Sequence, residues 1–418
     1  MQLPNPVHDP IHGPIHLDQL AIDLINTPEV QRLRGLRQLG ATHLIFPSAN
    51  HTRFEHSIGT MHLARELGKH LGMGEEELEL VTAAGLLHDI GHGPFSHATE
   101  DIMVHKLGMT HEERTGAILT GKVKVLDELG LELGVETLTA REILESYGID
   151  PRIVAGIATG TYKEKPWVTQ MVNGELDVDR MDYLIRDSYY TGTMHGVINK
   201  HHLLESMRVF KDMLVITEDG LHSAEGLIVA REFMYGEVYF QNTKRIAETM
   251  ITKAVEYATL SDNHLSKVFH TLTDSELLCK LAEMGRYQRD MVLRVKYGNI
   301  FEAAILRPYV KLVPTQIENL LSLRENPAEK RELEEEIAGR AGLEPGYVII
   351  DVPPLPELRE VEVVVLLDDG TWSKLHDYSP FASSLLSAIR RRWTCGVYAP
   401  QEKAEKVGVL AKEILFGE

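Results

Sequence analysis

The sequence predicts a mainly α-helical protein that ends in a small α+β region. Three observations carry this. Apolar residues through the N-terminal half recur at helical spacing. Those runs stop at glycines, the residues that end helices. After a proline cluster near residue 355, a valine-rich run leads into an Asp-Asp-Gly turn. Hydrophobic residues make up 43% and charged residues 25%, enough apolar surface for a packed core, so disorder is excluded as the main state.

Asp18 to Gly40 carries Leu20, Leu24, Ile25, Val30, Leu33 and Leu36 at helical intervals, with a break at Thr27-Pro28. A second helix is expected from Glu55 to Leu71 and a third from Glu75 to Ile90, stopped by Gly91. The end of the third helix (Val81, Ala83, Ala84, Leu86, Leu87) is almost wholly apolar, the pattern of a buried helix. Helices follow at Ser96 to Leu107 and Thr110 to Leu119. Thr139-Ala-Arg-Glu142 has the capping-box pattern that opens another. A long helix is expected over Leu227 to Leu260, and Glu329 to Glu336 reads as a solvated helix. Pro353, Pro354 and Pro356 mark a linker. Beyond it come a strand at Val361 to Leu367, an amphipathic helix at Phe381 to Arg392, a strand at Trp393 to Tyr398 and a last helix at Gln401 to Leu415. The expected organisation is a helical core over 1–260, a helical extension over 261–344 and an α+β region over 345–418.

Lys plus Arg number 43 and Asp plus Glu 62, a formal charge of −19. Such acidity argues against a general nucleic-acid or anionic-membrane binder. Arg390-Arg391-Arg392 beside Trp393 is the one basic cluster, and it reads as a helix C-terminus favoured by the helix dipole. Cys279 and Cys395 make neither a disulfide framework nor a thiolate zinc site. The start is polar and broken by prolines, and no apolar run approaches the ~20 residues of a membrane span. A cytoplasmic protein without signal peptide or membrane span is expected.

Histidine is the unusual residue: 13 of the 20 lie before residue 112. The densest chemistry is His88-Asp89-Ile90-Gly91-His92-Gly93-Pro94-Phe95-Ser96-His97. Burying an imidazole and a carboxylate together at a helix end is costly unless a cation compensates both. Nitrogen and oxygen donors together suit Mn, Fe, Zn or Ni, and less obviously Mg. His56 upstream and Asp177-Val178-Asp179-Arg180-Met181-Asp182-Tyr183 downstream supply further ligand types. Each piece alone has a structural reading; their order and spacing give the specificity.

The series His56, His88-Asp89, Asp179 resembles the H…HD…D signature of the HD-domain metal-dependent phosphohydrolases. Longer stretches extend the likeness: His8-Asp-Pro-Ile-His-Gly13, Gln31-Arg-Leu-Arg34, Phe46 to Ser57, Leu87 to His97 and Asp177 to Tyr183. Across roughly residues 5 to 250 the chain is similar to the deoxynucleoside triphosphate (dNTP) triphosphohydrolases, including the HD core of the animal SAM-and-HD-domain enzyme.

The resemblance implies an HD-domain helical core that hydrolyses dNTPs to deoxynucleosides and inorganic triphosphate. It implies one divalent metal ion, held by His56, His88, Asp89 and Asp179, with additional Mg accompanying the nucleotide. His97 matches the family's general acid and Glu100 its carboxylate partner, where the animal enzyme has Asp. His92 and His111 match phosphate-facing histidines. Arg53, Arg180 and Arg231 match phosphate contacts, Arg180 replacing a lysine of the animal enzyme. Gln38, Leu39, Tyr183, Asp187 and Tyr239 match positions around the sugar. The glutamine that follows the tyrosine in the animal enzyme is Phe240 here, with Gln241 one further on. His8 and Arg34 fall where an activating nucleotide binds in the family, although Asn26 replaces the acidic residue that reads guanine there. A homo-oligomer, dimer or tetramer, is implied. The competing readings are another HD-type nucleotide phosphohydrolase or phosphodiesterase, and a non-catalytic nucleotide sensor or nucleic-acid binder.

Overall fold

The computed structural model describes residues 5–125, 137–356 and 362–418. The chain is mainly α-helical, as expected, with only small sheets. It forms two compact units. The first comprises residues 1–238, 268–275 and 359–383, and the second 239–267, 276–358 and 384–418.

The first unit opens with an antiparallel hairpin of β1 (Val7–Asp9) and β2 (Gly13–Ile15). Asp18 caps α1 (Gln19–Ile25) by accepting the Ala21 N–H, and Pro28 occupies the first turn of α2 (Pro28–Arg32), so the break at Thr27-Pro28 is real. Central to the unit are α3 (Arg53–His70) and α4 (Glu75–Leu87), which pack on each other. The apolar end of α4 is buried throughout, Val81 to Leu87 being at most 5% exposed. α5 (His97–Leu107) and α6 (His111–Leu119) follow, the latter opened by a Thr110–Glu113 capping box. The Thr139–Glu142 box opens α7 (Ala140–Ser146) as expected. After α8 (Pro151–Ala158) and α9 (Pro166–Val172), α10 (Val178–Thr191) packs against α3. α11 (Lys200–Ser206) leads to β3 (Met207–Phe210) and β4 (Met213–Thr217), and α12 (Leu221–Met234) packs on α10.

The expected long helix over 227–260 is interrupted. A π-helical turn, Tyr235–Tyr239, separates α12 from α13 (Asn242–Ser261), at a run where Gly236 stands among bulky Tyr235, Tyr239 and Phe240. The C-terminal strands divide between the two units. β7 (Val364–Leu366) and β8 (Trp372–Lys374) form the hairpin promised by Asp369-Gly370, but β7 pairs in parallel with β4 (Ile216↔Val365), so this hairpin belongs to the first unit. β9 (Thr394–Ala399) instead lies between β5 (Glu302–Pro308) and β6 (Ile349–Asp351). Three-residue strands cannot stand alone and take whichever sheet edge the fold offers. β5 lies within the expected extension over 261–344.

In the second unit that three-stranded sheet buries Ile305, Ile350, Trp393 and Val397 against Ile337 and Val407. Ile337 lies on α14 (Pro327–Ala341), the expected charge-rich helix. Its Glu334 is buried rather than solvated, accepting from Lys253 Nζ at 2.5 Å and from the Ile350 N–H at 2.8 Å. Among the described residues no helix is long and apolar enough to cross a membrane.

Candidate active site

His56 on α3, His88 at the end of α4 and Asp179 in the first turn of α10 converge. His56 Nε2 lies 3.2 Å from His88 Nε2 and 2.9 Å from Asp179 Oδ1, and His88 Nε2 lies 3.6 Å from the same oxygen. Asp89 stands beside them, its oxygens 3.3 Å from His88 Nε2 and 3.8 Å from His56 Nε2. All four residues matched to metal ligands are thus gathered at one point.

The donor chemistry fits a divalent cation. His56 Nδ1–H donates to Asp182 Oδ2 at 2.8 Å, and His88 Nδ1–H donates to the Gly85 carbonyl at 2.9 Å. With each Nδ1 tied to an acceptor, a cation placed between the rings would be met by both Nε2 atoms. Burial pulls His56 down, but hydrogen bonds and charge from Asp179 and Asp182 outweigh it and push its pKa up to about 10. The place has a strong demand for positive charge.

Behind His56 lies a buried network for which the sequence reading assigned no role. Asp182 also accepts from Arg186 through both nitrogens of the fork, Nε at 2.8 Å and Nη2 at 2.9 Å, and lies 2.6 Å from His12 Nε2. Arg186 reaches Asp9 at 2.8 Å, and Lys200 Nζ lies 2.7 Å from His12 Nδ1. The Asp-Pro-Ile-His-Gly stretch is therefore structural support for His56. The signal was present: Asp182 lies three residues after Asp179 and four before Arg186 on one helix.

On the other side of Asp89, Arg53 Nη1 donates to Asp89 Oδ2 at 2.6 Å while its Nε donates to Ser96 Oγ at 2.8 Å. His92 Nε2 lies 3.3 Å from Asp89 Oδ1, and the His92 ring stacks on His111 at 4.0 Å. A Cβ at Gly91 would lie 2.1 Å from the His111 carbonyl, so only glycine lets α6 start this close. Glu100 bonds His97 Nδ1 at 3.1 Å and also His111 Nδ1. Burial raises Glu100, but the hydrogen bonds from His111 and His97 outweigh it and hold the carboxylate far below its ordinary range. His111 is raised in turn by Glu100 against the pull of burial. His92 is held well below its ordinary value by burial and by the Arg53 guanidinium, so it stays neutral. His97 is exposed at the mouth of this cluster.

Tyr183 and Asp187 follow Asp179 at successive four-residue steps along α10, with Tyr183 edge-on to His56 at 6.5 Å. Asp187 is buried and bonds His51 Nε2 at 2.7 Å, and His51 stacks on Tyr190. His51 was also missed from sequence. Leu39 is buried beside Gln38, whose Oε1 is buried with no hydrogen-bond partner among the described residues. Arg180 folds back on Asp177 and the Gly174 carbonyl. Arg231 lies over the Tyr235 ring on the helix next to α10. Tyr239 belongs to the second unit. His8 and Arg34 are exposed, Arg34 stacking on Phe54 at 3.4 Å and donating to Gln31.

The comparisons with known proteins agree with this geometry. The HD domain matches residues 53–187 and the HD associated region matches residues 198–416. An uncharacterized protein of Methanocaldococcus jannaschii is 33% identical over 405 residues, covering 96% of this chain and 80% of that one. A Dictyostelium discoideum protein named deoxynucleoside triphosphate triphosphohydrolase SAMHD1 homolog is 33% identical over 61% of this chain, and the match spans only 51% of its own length. The crystal structure of a phosphohydrolase from Bacteroides thetaiotaomicron superposes with a TM-score of 0.71 at 26% identity, covering 94% of this chain and 99% of that one. The gathered His56, His88, Asp89 and Asp179 and these matches lead to one conclusion: the chain belongs to the HD-domain family of metal-dependent phosphohydrolases and is dNTP triphosphohydrolase-like.

Proposed function

We propose that the protein hydrolyses dNTPs to deoxynucleosides and inorganic triphosphate. The observation that carries this reading is the junction at Asp89, where a cation-binding donor set meets a separate cluster of His92, His97, Glu100 and His111. One cluster suits an electrophile and the other a proton donor, which is what cleavage of a phosphate ester from an alkoxide leaving group needs.

His56, His88, Asp89 and Asp179 would hold one divalent ion, Mn, Mg, Fe, Zn or Ni, with further Mg travelling with the nucleotide. When bound, it would polarise the α-phosphate and make an attacking water more acidic. Water then adds to the α-phosphorus and the bond from phosphorus to the 5′ oxygen breaks. His97 supplies the proton that this oxygen needs, and Glu100 orients the imidazole through Nδ1. His92 and His111 face the phosphates. A triphosphate brings roughly four negative charges into a chain that is itself acidic, so local cations must offset them. Arg53, Arg180 and Arg231 serve that end. Gln38 Oε1, a buried acceptor without a donor among the described residues, suits a sugar hydroxyl. Leu39, Tyr183 and Asp187 would complete the sugar site. A second nucleotide, bound near His8 and Arg34, would activate a homo-oligomer.

Product analysis tests the reading. The purified protein is incubated with each dNTP and rNTP and Mn or Mg, with and without a second nucleotide. Deoxynucleoside plus triphosphate supports it. Nucleoside mono- or diphosphate would assign the chain to another HD phosphohydrolase activity, and no turnover under any combination would favour a nucleotide sensor.

A further inference from the structure

We propose that Asp274 is a positioning residue whose single carboxylate ties the sugar side of the site to the turn that aims His97, and so sets both turnover and discrimination against ribonucleotides. This rests on the roles proposed above for His97, Gln38 and Leu39. Asp274 lies in the segment 268–275, which belongs to the first unit although the chain on both sides of it belongs to the second. The residue is buried, 3% exposed. Its Oδ1 accepts the Phe95 N–H at 2.8 Å, and its Oδ2 accepts the Arg37 N–H at 2.9 Å.

Each of those amides begins a functional segment. Phe95 and Ser96 have φ of +54° and +46°, a region that non-glycine residues enter only when their surroundings over-determine it. His97 follows directly as the first residue of α5. The turn is fixed by Asp274, by Arg53 on Ser96 Oγ, and by Thr99 Oγ1 donating to the Pro94 carbonyl at 2.7 Å. On the other side, Arg37 bridges to Thr52, and Gln38 donates its N–H to the His51 carbonyl at 3.0 Å. Gln38 and Leu39 come next.

The seat for the segment is built as closely as the site itself. Arg32 Nη1 donates to the Leu272 carbonyl at 3.1 Å, and its Nη2 donates to the His92 carbonyl. A Cβ at Gly35 would lie 2.3 Å from Thr273 Cγ2, so the turn at 35 must be glycine for the segment to lie down. A carboxylate that spends one oxygen on each wall couples them. A group that merely filled the space would leave each free to move alone.

The test uses the full chain with Asp274→Ala and Asp274→Asn. Hydrogen exchange by mass spectrometry follows peptides covering residues 35–41 and 92–100, alongside kcat, KM, the rNTP-to-dNTP ratio and bound metal. In Asp274→Ala both peptides are expected to exchange faster, by about tenfold at the freed amides. kcat falls by about tenfold or more, KM for dNTP changes less, and the rNTP-to-dNTP ratio rises while metal content stays. Asp274→Asn keeps volume and one acceptor, so it lies between and carries the test if the alanine variant does not fold. Unchanged exchange in either peptide overturns the proposal, as does faster exchange with unchanged kcat and ratio. A wild-type protein that turns over no nucleotide would defeat the proposed activity instead, and exchange alone would then decide whether Asp274 ties the two walls.

Discussion

Asp182 holds His56 from behind: its Oδ2 lies 2.8 Å from His56 Nδ1, and the same carboxylate is gripped by the Arg186 fork. A carboxylate on the far nitrogen fixes the tautomer of a ligating imidazole and raises its basicity. Asp182→Asn is expected to weaken metal affinity about 10- to 100-fold. Asp182→Ala should also leave Arg186 with only Asp9, costing roughly 3–5 kcal/mol of stability. Metal content after dialysis against graded chelator and the melting temperature separate the two effects. Full metal retention in both variants would remove Asp182 from the ligand's support.

Glu100 joins the two histidines of the proton-donor cluster, and Glu100→Gln should loosen both. Turnover is expected to fall about 10²- to 10³-fold with metal retained, the range for losing an oriented acid. The pair also gives a pH signature. Glu100 is depressed, so its contribution to stability is present above its ordinary value of 4.5 and fades as pH falls. His111 is raised, so its contribution is present below its ordinary value of 6.5 and fades as pH rises. The difference in melting temperature between wild type and Glu100→Gln should therefore peak between those two values. A difference that is flat with pH would mean that Glu100 and His111 do not titrate as a pair.

Arg53 uses two nitrogens of one planar fork, Nη1 on Asp89 and Nε on Ser96. A lysine keeps the charge but cannot meet both partners at once. Arg53→Lys is expected to lower kcat by about tenfold or more, with a smaller rise in KM. Steady-state kinetics with dNTP check this. A variant altered in KM alone would make Arg53 a phosphate contact without a part in ordering the turn at Ser96.

Much of this centre is legible in the sequence because its spacing is local. His88-Asp89 stands at a helix end, and the glycines after it permit the tight return that brings in His92 and His97. Capping boxes at Thr110 and Thr139 open helices where expected, since they depend on residues three apart. What the sequence hides is set by distant partners. The strand Val364–Leu366 could go to either unit until Ile216 is known to lie beside Val365. Asp182 reads as one more acidic residue in a row until α3 delivers His56 to it. The positive φ at Phe95 and Ser96, neither a glycine, leaves no mark in residue type.

His270 offers a test that does not involve the reaction. It is buried at 7% exposure, and its Nδ1 has no hydrogen-bond partner among the described residues. Burial, with the Arg114 and Arg32 guanidiniums nearby, lowers its pKa to about 3. The folded state thus keeps His270 neutral where the unfolded chain would protonate it below about 6.5. Its effect is absent above that pH, and stability falls as pH drops from there toward 3. The slope is roughly 1.4 kcal/mol per unit. Between pH 6.5 and 5, His270→Leu should lose roughly 2 kcal/mol less than wild type, read from urea unfolding at both pH values. Subtracting the two proteins cancels the histidines and carboxylates of the metal site, which both retain. Equal losses would mean that the ring gains a proton, or water to share one, without unfolding the segment that carries Asp274.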